Sequence, residues 1–399
     1  MEKNTLVAIG EALIDFIPAQ TGCSFAQVES FSPKCGGAPA NVCGAYTCLG
    51  GKSRMITQLG NDPFGHKIAD ELEENGIDIS CIPFTDEANT ALAFVSLAED
   101  GNRTFSFYRK PSADMLLTAE QVKPEWFADA YALHFCSVSL GDFPMKEAHR
   151  TAIACARGNG ALISFDPNLR FPLWKDEKSL YDAVWDFIPL ADVLKVSDEE
   201  LYFLTHGAEA GKQAGESSES YGKNSVKMSY VPGELNISDE LSGRESEKLA
   251  ELSGESDEEK EFLSDKEKVA KAIEKLFVGN VKLVIFTCGS EGAYAYTRKL
   301  QAFAPSQKVK AVDTTGAGDG FIGSFLYALN QLGITPRTVE ALDEPQLTKC
   351  LDFSNRSAGR AYSIMGQLRR IGRWSFDGSK LPEYSLSDAV FLACVQKSA

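Results

Sequence analysis

Asp313-Thr-Thr-Gly-Ala-Gly-Asp319 stands between two apolar runs that differ in their pattern. The run before it, residues 308–312, has the composition of a strand, and the run Phe321–Leu329 after it is typical of a helix. Its two glycines permit a tight turn whose backbone N–H groups meet the positive end of that helix. A strand, a glycine turn and a helix in this order predict an anion site. Asp319 beside that site is suited to take a proton from an attacking hydroxyl, although an acid that caps the helix fits the motif as well.

Length and composition predict one large domain with an acidic insertion. The chain has 399 residues, 44% of them hydrophobic, and strand and helix patterns alternate along most of it, which is typical of an α/β domain. The formal net charge of −16 disfavours nucleic acid and anionic membranes as partners. Residues 207–265 hold 15 acidic and 6 basic side chains together with 11 serines. Such a segment buries too little apolar surface to offset the cost of ordering, so we expect a disordered or loosely helical insertion.

Cysteine usage and the N-terminus predict a cytoplasmic protein. The ten cysteines include no Cys-x-x-Cys pair and the four histidines are scattered, so metal-site spacing is absent and buried free thiols are expected. The apolar run Leu6–Ile9 is too short for a secretion signal and is followed closely by Glu11 and Asp15. No other run has the length of a membrane span, so we expect no membrane partner.

Polar side chains and glycines follow the first predicted strand. Asp15 comes after Leu6–Ile9, at the edge where open α/β sheets bind ligands, and its carboxylate can accept hydrogen bonds from two hydroxyls. A solvated turn residue fits that position as well. The pair Gly36-Gly37 lets a ligand approach the backbone, and Asn41 offers both a donor and an acceptor. A capped glycine turn before a helix is the alternative interpretation of that pair.

A second polar cluster follows the predicted strand Ala161–Asp166. Asn168 and Arg170 come directly after this strand, and both can reach hydroxyls or phosphate oxygens. The chain has no Gly-x-x-x-x-Gly-Lys-Ser/Thr motif and no Gly-x-Gly-x-x-Gly after its first strand. These absences argue against a P-loop kinase and a nicotinamide dehydrogenase.

Two stretches together resemble the signatures of the ribokinase-like (PfkB) carbohydrate kinases. The first is Cys35-Gly-Gly-Ala-Pro-Ala-Asn41, with Gly50 and Gly60 at the family spacing, and the second is the glycine turn at 313–319. Cys43 departs from the pattern, because a smaller residue is usual there. The two signatures stand in the family order, and the resemblance covers residues 5–204 and 266–367. Beyond residue 368 the pattern disappears, so the status of the tail, 369–399, is open.

The resemblance implies a fold. Residues 1–368 would form a three-layer α/β/α ribokinase-like domain with a mostly parallel central sheet and a small β-sheet lid over the sugar. The lid would come from about 16–34 and 88–112. In the second of these segments, Thr90–Ser96 and Arg103–Tyr108 have the pattern of a hairpin.

The resemblance also implies a role for each candidate residue. Asp319 would be the catalytic base, and the backbone N–H groups of Gly316, Ala317 and Gly318 would hold the transferred phosphate. The substrate-binding residues would be Asp15, Gly36, Gly37, Asn41, Phe107, Arg109, Asn168 and Arg170. The nucleotide-binding residues would be Lys195, Ser197, Glu200, Thr287, Gly289, Ser290, Gly292, Asn355 and Gly359. Asp313 and Thr315 resemble a monovalent-cation loop for K⁺, and Mg²⁺ would be held through ATP and Glu200, while Ser197 departs from the asparagine that is frequent there.

The function implied is ATP-dependent phosphorylation of a sugar hydroxyl, with Mg²⁺ and K⁺ as the cations. Gly10–Pro18, Ser106–Arg109, Asp166–Arg170 and Leu194–Ser197 look most like fructokinases, so fructose is the expected substrate and fructose 6-phosphate the product. The alternatives are 2-keto-3-deoxygluconate kinase or another sugar or nucleoside kinase of the family. An alternative of another class is a sugar-binding regulatory protein without turnover. A homodimer is the assembly considered.

Overall fold

The computed structural model describes residues 3–20, 22–23, 25–97, 103–213, 257–306 and 316–358. These described residues do not include the predicted strand 308–312, the cation-loop residues Asp313 and Thr315, Gly359 or the tail 369–399. The same holds for residues 214–256 of the predicted insertion.

Within the described part of the chain, nine strands form the central sheet. In spatial order they are β15 (Gln301–Pro305), β14 (Gly292–Tyr296), β13 (Leu283–Cys288), β12 (Val193–Ser197), β11 (Leu162–Asp166), β10 (Ala130–Cys136), β1 (Thr5–Ile9), β4 (Lys52–Ile56) and β6 (Ile77–Asp78). In this sheet β13, β12, β11, β10, β1, β4 and β6 run parallel to one another, and β14 and β15 are antiparallel to their neighbours. The chain leaves β1 towards β4 on one side and returns to β10 on the other. The point where strand order reverses beside β1 is therefore the place where open sheets of this type bind ligands.

Helices cover both faces of this sheet. On one face, Val7, Ile9 and Phe135 pack against α3 (Met145–Gly158), α4 (Glu177–Phe187), α5 (Asp198–Gln213), α6 (Asp257–Ser264) and α7 (Lys266–Lys275). On the other, Leu6 and Ile285 pack against α1 (Ala38–Cys48), α8 (Ala317–Gln331) and α9 (Glu344–Ala358). Alternate residues of buried parallel strands serve the two faces, which makes the strands continuously apolar. A further helix, α2 (Pro63–Glu74), packs beside β4 and β6. The predicted three-layer architecture is confirmed.

The predicted small sheet is also present. Its order is β3 (Phe31–Gly36), β2 (Leu13–Pro18), β8 (Leu92–Leu97) and β9 (Arg103–Tyr108), and β8 and β9 form the antiparallel pair expected of a hairpin. Two short strands, β5 (Leu59–Gly60) and β7 (Phe84–Thr85), form a separate pair. Asp15 lies inside β2, opposite Lys34, and is therefore a strand residue of the lid sheet and not a turn residue after β1.

One sequence expectation needs correction. The predicted insertion, 207–265, is too wide, because α5 continues to Gln213 and α6 begins at Asp257. Phe262 on α6 is 5% exposed and packs edge-on against Tyr202 and His206. Leu263 packs against the same core cluster, and the composition of a long acidic segment hides two such apolar residues, which explains the error. Among the described residues, no helix is both long and apolar enough to cross a membrane.

Candidate active site

The predicted site residues converge at the carboxyl edge of the central sheet. The strands that end there are β1, β10, β11 and β12, and the N-termini of α1 and α8 face the same edge through Asn41 and Asp319. A carboxylate at the end of β11 and a lysine inside β12, Asp166 and Lys195, are joined by an ion pair. The arrangement places helix N-termini, a base and cations in one cleft.

The start of α8 has the features of an anion site. Gly316 precedes the helix with φ of 74°, a left-handed conformation that glycine adopts without strain, and it makes no side-chain cap. The first N–H groups of an α-helix have no partner within the helix, so those of Ala317 and Gly318 remain donors at the positive end of the helix. The helix is fixed in place because Gly323 lies against the backbone of Val42 on α1, where a Cβ would come within 2.9 Å of the Val42 carbonyl oxygen.

Asp319 is a buried carboxylate held from across the molecule. It lies in the first turn of α8, is 8% exposed, and its Oδ2 accepts a hydrogen bond of 2.9 Å from Asn41 Nδ2. Because Gly316 occupies the N-cap position, Asp319 is not the cap of this helix. The pKa of Asp319 is raised to about 6, chiefly because burial disfavours the charged form; the Asn41 hydrogen bond, Arg170 and Lys195 lower it, and Asp166 raises it.

Lys195 brings a positive charge to the anion turn. Its Nζ lies 2.9 Å from Asp166 Oδ2, and a Cβ built on Gly318 would be 3.6 Å from that Nζ. Burial by itself would lower the pKa of Lys195, but the carboxylates of Asp166, Glu200 and Asp319 outweigh it and raise the pKa. Behind the pair, burial and the Lys195 charge lower the pKa of His134 to about 3, so this histidine is neutral. Sequence analysis missed the pairing role of Asp166, for which the signal was a carboxylate at the end of one strand and a lysine inside the next strand along the chain.

Glu200 organises two loops around this pair. Its Oε2 accepts from the Ser197 N–H at 2.8 Å, and Ser197 Oγ accepts from the Glu200 N–H at 3.2 Å, which makes a capping box at the start of α5. Its Oε1 accepts from the Leu169 N–H at 3.1 Å and so holds the loop that carries Asn168 and Arg170. Asn168 has a φ of 45°, and the charge of Arg170 acts on Asp319. Both Glu200 oxygens accept backbone hydrogen bonds, which fixes the carboxylate between the two loops. Its role in holding Mg²⁺ stays a prediction.

Asp15 and the glycine pair lie where the lid sheet meets α1. A Cβ built on Gly36 would come within 2.1 Å of Asp15 Oδ2, so only glycine leaves room for that carboxylate. Gly37 has a φ of 110° and lies against the Glu11 carbonyl oxygen, 2.5 Å from where its Cβ would stand. Glu11, which sequence analysis did not identify, is buried. Its carboxylate accepts from the Ala38 N–H and from Ser139 Oγ, both at 3.2 Å.

Phe107 and Arg109 stand at the end of the lid strand β9. Phe107 is half-buried against the small cluster of Leu13, Ala91 and Ala93. Arg109 is 6% exposed, pairs with Asp114 through Nη2, and donates from Nη1 to the Val138 carbonyl oxygen at 3.4 Å. Asp114 was not predicted as the partner, because neither helical nor strand spacing relates it to Arg109.

The residues predicted to bind nucleotide lie farther along the same edge. Ser197 and Thr287 are paired neighbours on β12 and β13, and Gly289 and Ser290 form the turn that follows. A Cβ on Gly292 would come within 2.2 Å of the Ala304 carbonyl oxygen, and Asn355 Nδ2 donates to the same oxygen at 2.9 Å. Thr287, Gly292 and Asn355 are therefore arranged along β13 to β15, beyond Lys195.

Comparisons with known proteins agree with this geometry. The family model described as pfkB family carbohydrate kinase matches residues 3–226 and 244–364, and so extends into both ends of the predicted insertion. The chain is 36% identical over 350 residues to probable fructokinase-5 of Arabidopsis thaliana, covering 88% of this chain and 89% of that protein. It is 38% identical over 352 residues to fructokinase-2 of Solanum lycopersicum, covering 88% of this chain and 87% of the relative.

Two solved structures share the fold. The fructokinase of Xylella fastidiosa with bound ATP is 28% identical, with a TM-score of 0.68 and coverage of 92% of this chain and 98% of that one. A double mutant of the fructokinase of Vibrio cholerae O395, in a form with fructose, ADP and potassium ion bound, is 27% identical. Its TM-score is 0.67, over 92% of this chain and 96% of that one.

Proposed function

The chain belongs to the pfkB family of carbohydrate kinases, and on that premise we propose that it transfers the γ-phosphoryl group of ATP to the 6-hydroxyl of fructose. The observation that carries the proposal is a buried carboxylate, Asp319, at the open N-terminus of α8. It occurs in a chain that is 36% and 38% identical to two plant fructokinases over 88% of its length. The alternative of a binding protein without turnover has no feature of the site in its favour.

Asp319 acts as the general base. With a pKa of about 6 it is mainly ionised at neutral pH, and it is a stronger base than an ordinary aspartate. Asn41 holds one of its oxygens, which fixes the carboxylate relative to the sugar hydroxyl. The hydroxyl proton passes to Asp319 as the hydroxyl oxygen bonds to the γ-phosphorus, and the bond from that phosphorus to the β–γ bridging oxygen breaks to leave ADP.

The helix turn and Lys195 stabilise the charge on the transferred group. The N–H groups of Gly316, Ala317 and Gly318 are donors at the positive end of α8, where a phosphoryl group binds without further help. Lys195 stands beside Gly318 and keeps its charge because its pKa is raised. Transfer needs mostly positioning and charge stabilisation, and these groups supply both.

The sugar lies between Asp15 and Asp319. Asp15 belongs to the lid sheet and Asp319 to α8, with Asn41 on α1 between them. A ketohexose that bridges the two would direct its primary hydroxyl to Asp319 and its other hydroxyls to Asp15. Phe107 on β9 would give the ring an apolar wall. Neutral hydroxyls need no more than these donors and acceptors.

Mg²⁺ and K⁺ are the cations of the proposed reaction. Mg²⁺ enters with ATP as part of the substrate and neutralises its phosphate oxygens. K⁺ is supported by the Vibrio cholerae relative, which was solved with potassium ion bound. The residues proposed for it here, Asp313 and Thr315, lie outside the described residues. Rates measured in KCl and in tetramethylammonium chloride test this role, and equal rates would refute it.

Assembly and location are separate predictions. We expect a homodimer, which gel filtration with light scattering tests, and a cytoplasmic location, which a fluorescent fusion tests. A monomer at assay concentration, or a signal outside the cytoplasm, would contradict the respective prediction.

The experiment that tests the activity is a panel of acceptors assayed for ADP release with Mg-ATP. We expect fructose to give the highest kcat/KM among fructose, glucose, ribose, adenosine and 2-keto-3-deoxygluconate. Asp319→Asn is the matched control, since it changes one atom of the base, and it should abolish the fructose signal. If another acceptor gives the highest kcat/KM, that acceptor replaces fructose as the substrate. If none of the acceptors on the panel causes ADP release, the kinase assignment is wrong.

A further inference from the structure

Fructose and its acidic alternative differ in what they require of the protein. A keto acid such as 2-keto-3-deoxygluconate carries a carboxylate, which proteins usually hold through the fork of an arginine. A neutral ketohexose has no such requirement. Arg109 and Arg170 are the two arginines that the sequence placed at the substrate, so the partners of these two side chains bear on substrate choice.

Arg170 stands at the reacting end of the site. Its charge acts on Asp319, and its Nη1 donates to the Leu169 carbonyl oxygen at 2.9 Å, in the loop that Glu200 holds. The carboxylate of a keto acid lies at the opposite end of the chain from the hydroxyl that is phosphorylated. Arg170 is therefore placed for the transferred phosphate and not for a carboxylate.

Arg109 stands at the other end. It follows the lid strand β9 directly and contacts Val138, which follows β10. Ser139, next to Val138, donates to Glu11, and Glu11 precedes β2, the strand that carries Asp15. Arg109 thus lies between the lid and the sheet edge on the side of Asp15.

The guanidinium of Arg109 already has a carboxylate partner. Its Nη2 pairs with Asp114 Oδ2, its Nη1 donates to Val138, and only Nε lacks a hydrogen-bond partner among the described residues. Asp114 is 1% exposed, and Ser112 Oγ donates to its other oxygen, so the pair is fixed. Asp114 thus neutralises the guanidinium and already binds one of its two terminal nitrogens, so a substrate carboxylate would have to compete with a carboxylate that is in place.

The charges around Arg109 also disfavour a substrate carboxylate. Glu11 is buried within electrostatic reach of both Arg109 and Asp114. The cluster of Glu11, Arg109 and Asp114 therefore contains one cation against two acidic groups and carries no net positive charge. Bringing a substrate carboxylate to it would bury an uncompensated charge, which is strongly unfavourable.

We propose that Asp114 is a positioning residue that sets specificity: by occupying Arg109 it makes the pocket accept a neutral ketohexose and reject a sugar acid. The proposal rests on the proposed function and adds the residue that decides between its two substrates. We therefore expect that removing the Asp114 charge leaves Arg109 able to pair with an anionic ligand.

The test compares fructose and 2-keto-3-deoxygluconate in the full-length enzyme and in Asp114→Asn, an isosteric change that keeps an acceptor for Arg109 and a partner for Ser112. We expect the ratio of kcat/KM for the keto acid to that for fructose to rise at least tenfold. Gluconate should also become a better inhibitor of the fructose reaction. The double variant Arg109→Gln/Asp114→Asn should return the ratio to the wild-type value, because the gain depends on Arg109. A gain that persists in the double variant, or an unchanged ratio in the single variant, would overturn the proposal.

Asp129→Asn is the matched control. Asp129 pairs with Arg54 at 2.9 Å near the start of β1, at the opposite edge of the sheet. Its loss should alter stability but leave the substrate ratio unchanged. A control ratio that rises as much as in Asp114→Asn would mean that any lost ion pair loosens selection, and the proposal would fall.

Two readouts keep the outcomes distinct. Wild-type inhibition by gluconate and by its neutral counterpart glucitol needs no variant, so it applies even where Asp114→Asn does not fold. We expect glucitol to bind more tightly, and equal or tighter binding of gluconate would overturn the proposal. If the wild type does not phosphorylate fructose, the proposed function has failed. If it does and the selectivity tests fail, only the role of Asp114 has failed.

Discussion

Replacing Asp319 by Asn should abolish turnover and at the same time make the protein more stable above pH 6. The carboxylate is 8% exposed, and burial moves its pKa from an ordinary 3.8 to about 6. A raised pKa in the folded state means that the folded protein binds the proton more tightly than the unfolded chain does. The stability cost is therefore absent below the ordinary pKa, grows as pH rises between the two values, and is complete above the folded pKa.

The magnitude follows from the two pKa values. One pKa unit corresponds to about 1.4 kcal/mol, so an ionised Asp319 opposes folding by about 3 kcal/mol at pH 8 and by about half of that at pH 5. Asparagine has no charge to bury, and its side-chain oxygen can still accept from Asn41. Asp319→Asn should thus unfold at a higher urea concentration than wild type at pH 8, by a margin that shrinks towards pH 5. Loss of the base should lower kcat by about 10²–10⁴-fold.

The assay is urea unfolding followed by tryptophan fluorescence at pH 5 and pH 8, with kcat measured on the same samples. Asp62→Ala is the control, because Asp62 is a true helix cap that accepts from the Phe64 and Gly65 N–H groups and has a lowered pKa. Its loss should cost about 1 kcal/mol at both pH values, since both lie above its ordinary pKa. If Asp319→Asn is less stable than wild type at pH 8, the carboxylate is a structural group and the reasoning is wrong.

Three further predictions concern the support of the site and the insertion. Asn41→Ala should move the acidic limb of the kcat profile to higher pH, because the Asn41 hydrogen bond lowers the pKa of the base; an unmoved limb in a pH–rate profile would contradict this. Lys195→Met should lower the free energy of unfolding in urea by about 3–5 kcal/mol, because it leaves the 1%-exposed Asp166 carboxylate unpaired. Adding Asp166→Asn should restore most of that stability, and no recovery would contradict the pairing. Removing residues 227–243, which lie outside the family match, should leave kcat and the melting temperature near wild type, whereas Phe262→Ala should cost about 3–5 kcal/mol; inactivity of the shortened chain would show that the segment is needed.

Local patterns in the sequence were sufficient for much of the fold. Buried parallel strands are continuous apolar runs, so Thr5–Ile9 and Leu162–Asp166 were found within a residue of their observed bounds. The glycine turn before Asp319 needs only neighbouring residues to form. The structure has that acid in the first turn of α8, as the motif predicts. The lid hairpin was likewise predictable from alternation and a turn signal.

What the sequence could not predict depends on contacts between distant parts of the chain. Asp166 contacts Lys195 because β11 and β12 are neighbours in the sheet. The order of strands in a sheet cannot be deduced from the sequence of either strand. Arg109 meets Asp114 because the backbone turns between them, so the arginine that resembled a substrate donor lies beside a carboxylate. The core contact of Phe262 was not predicted, because the acidic composition of its segment hides the apolar residues Phe262 and Leu263 that pack against the core.

³¹P NMR of the purified chain mixed with fructose and Mg-ATP identifies the product of the reaction. We expect fructose 6-phosphate and ADP in equal amounts, with both signals absent in Asp319→Asn. No phosphorylated fructose, or fructose phosphorylated at another hydroxyl, would contradict the placement of the primary hydroxyl at Asp319. A kcat/KM for 2-keto-3-deoxygluconate at least tenfold above that for fructose, worth about 1.4 kcal/mol in the transition state, would contradict the substrate and leave the kinase in place.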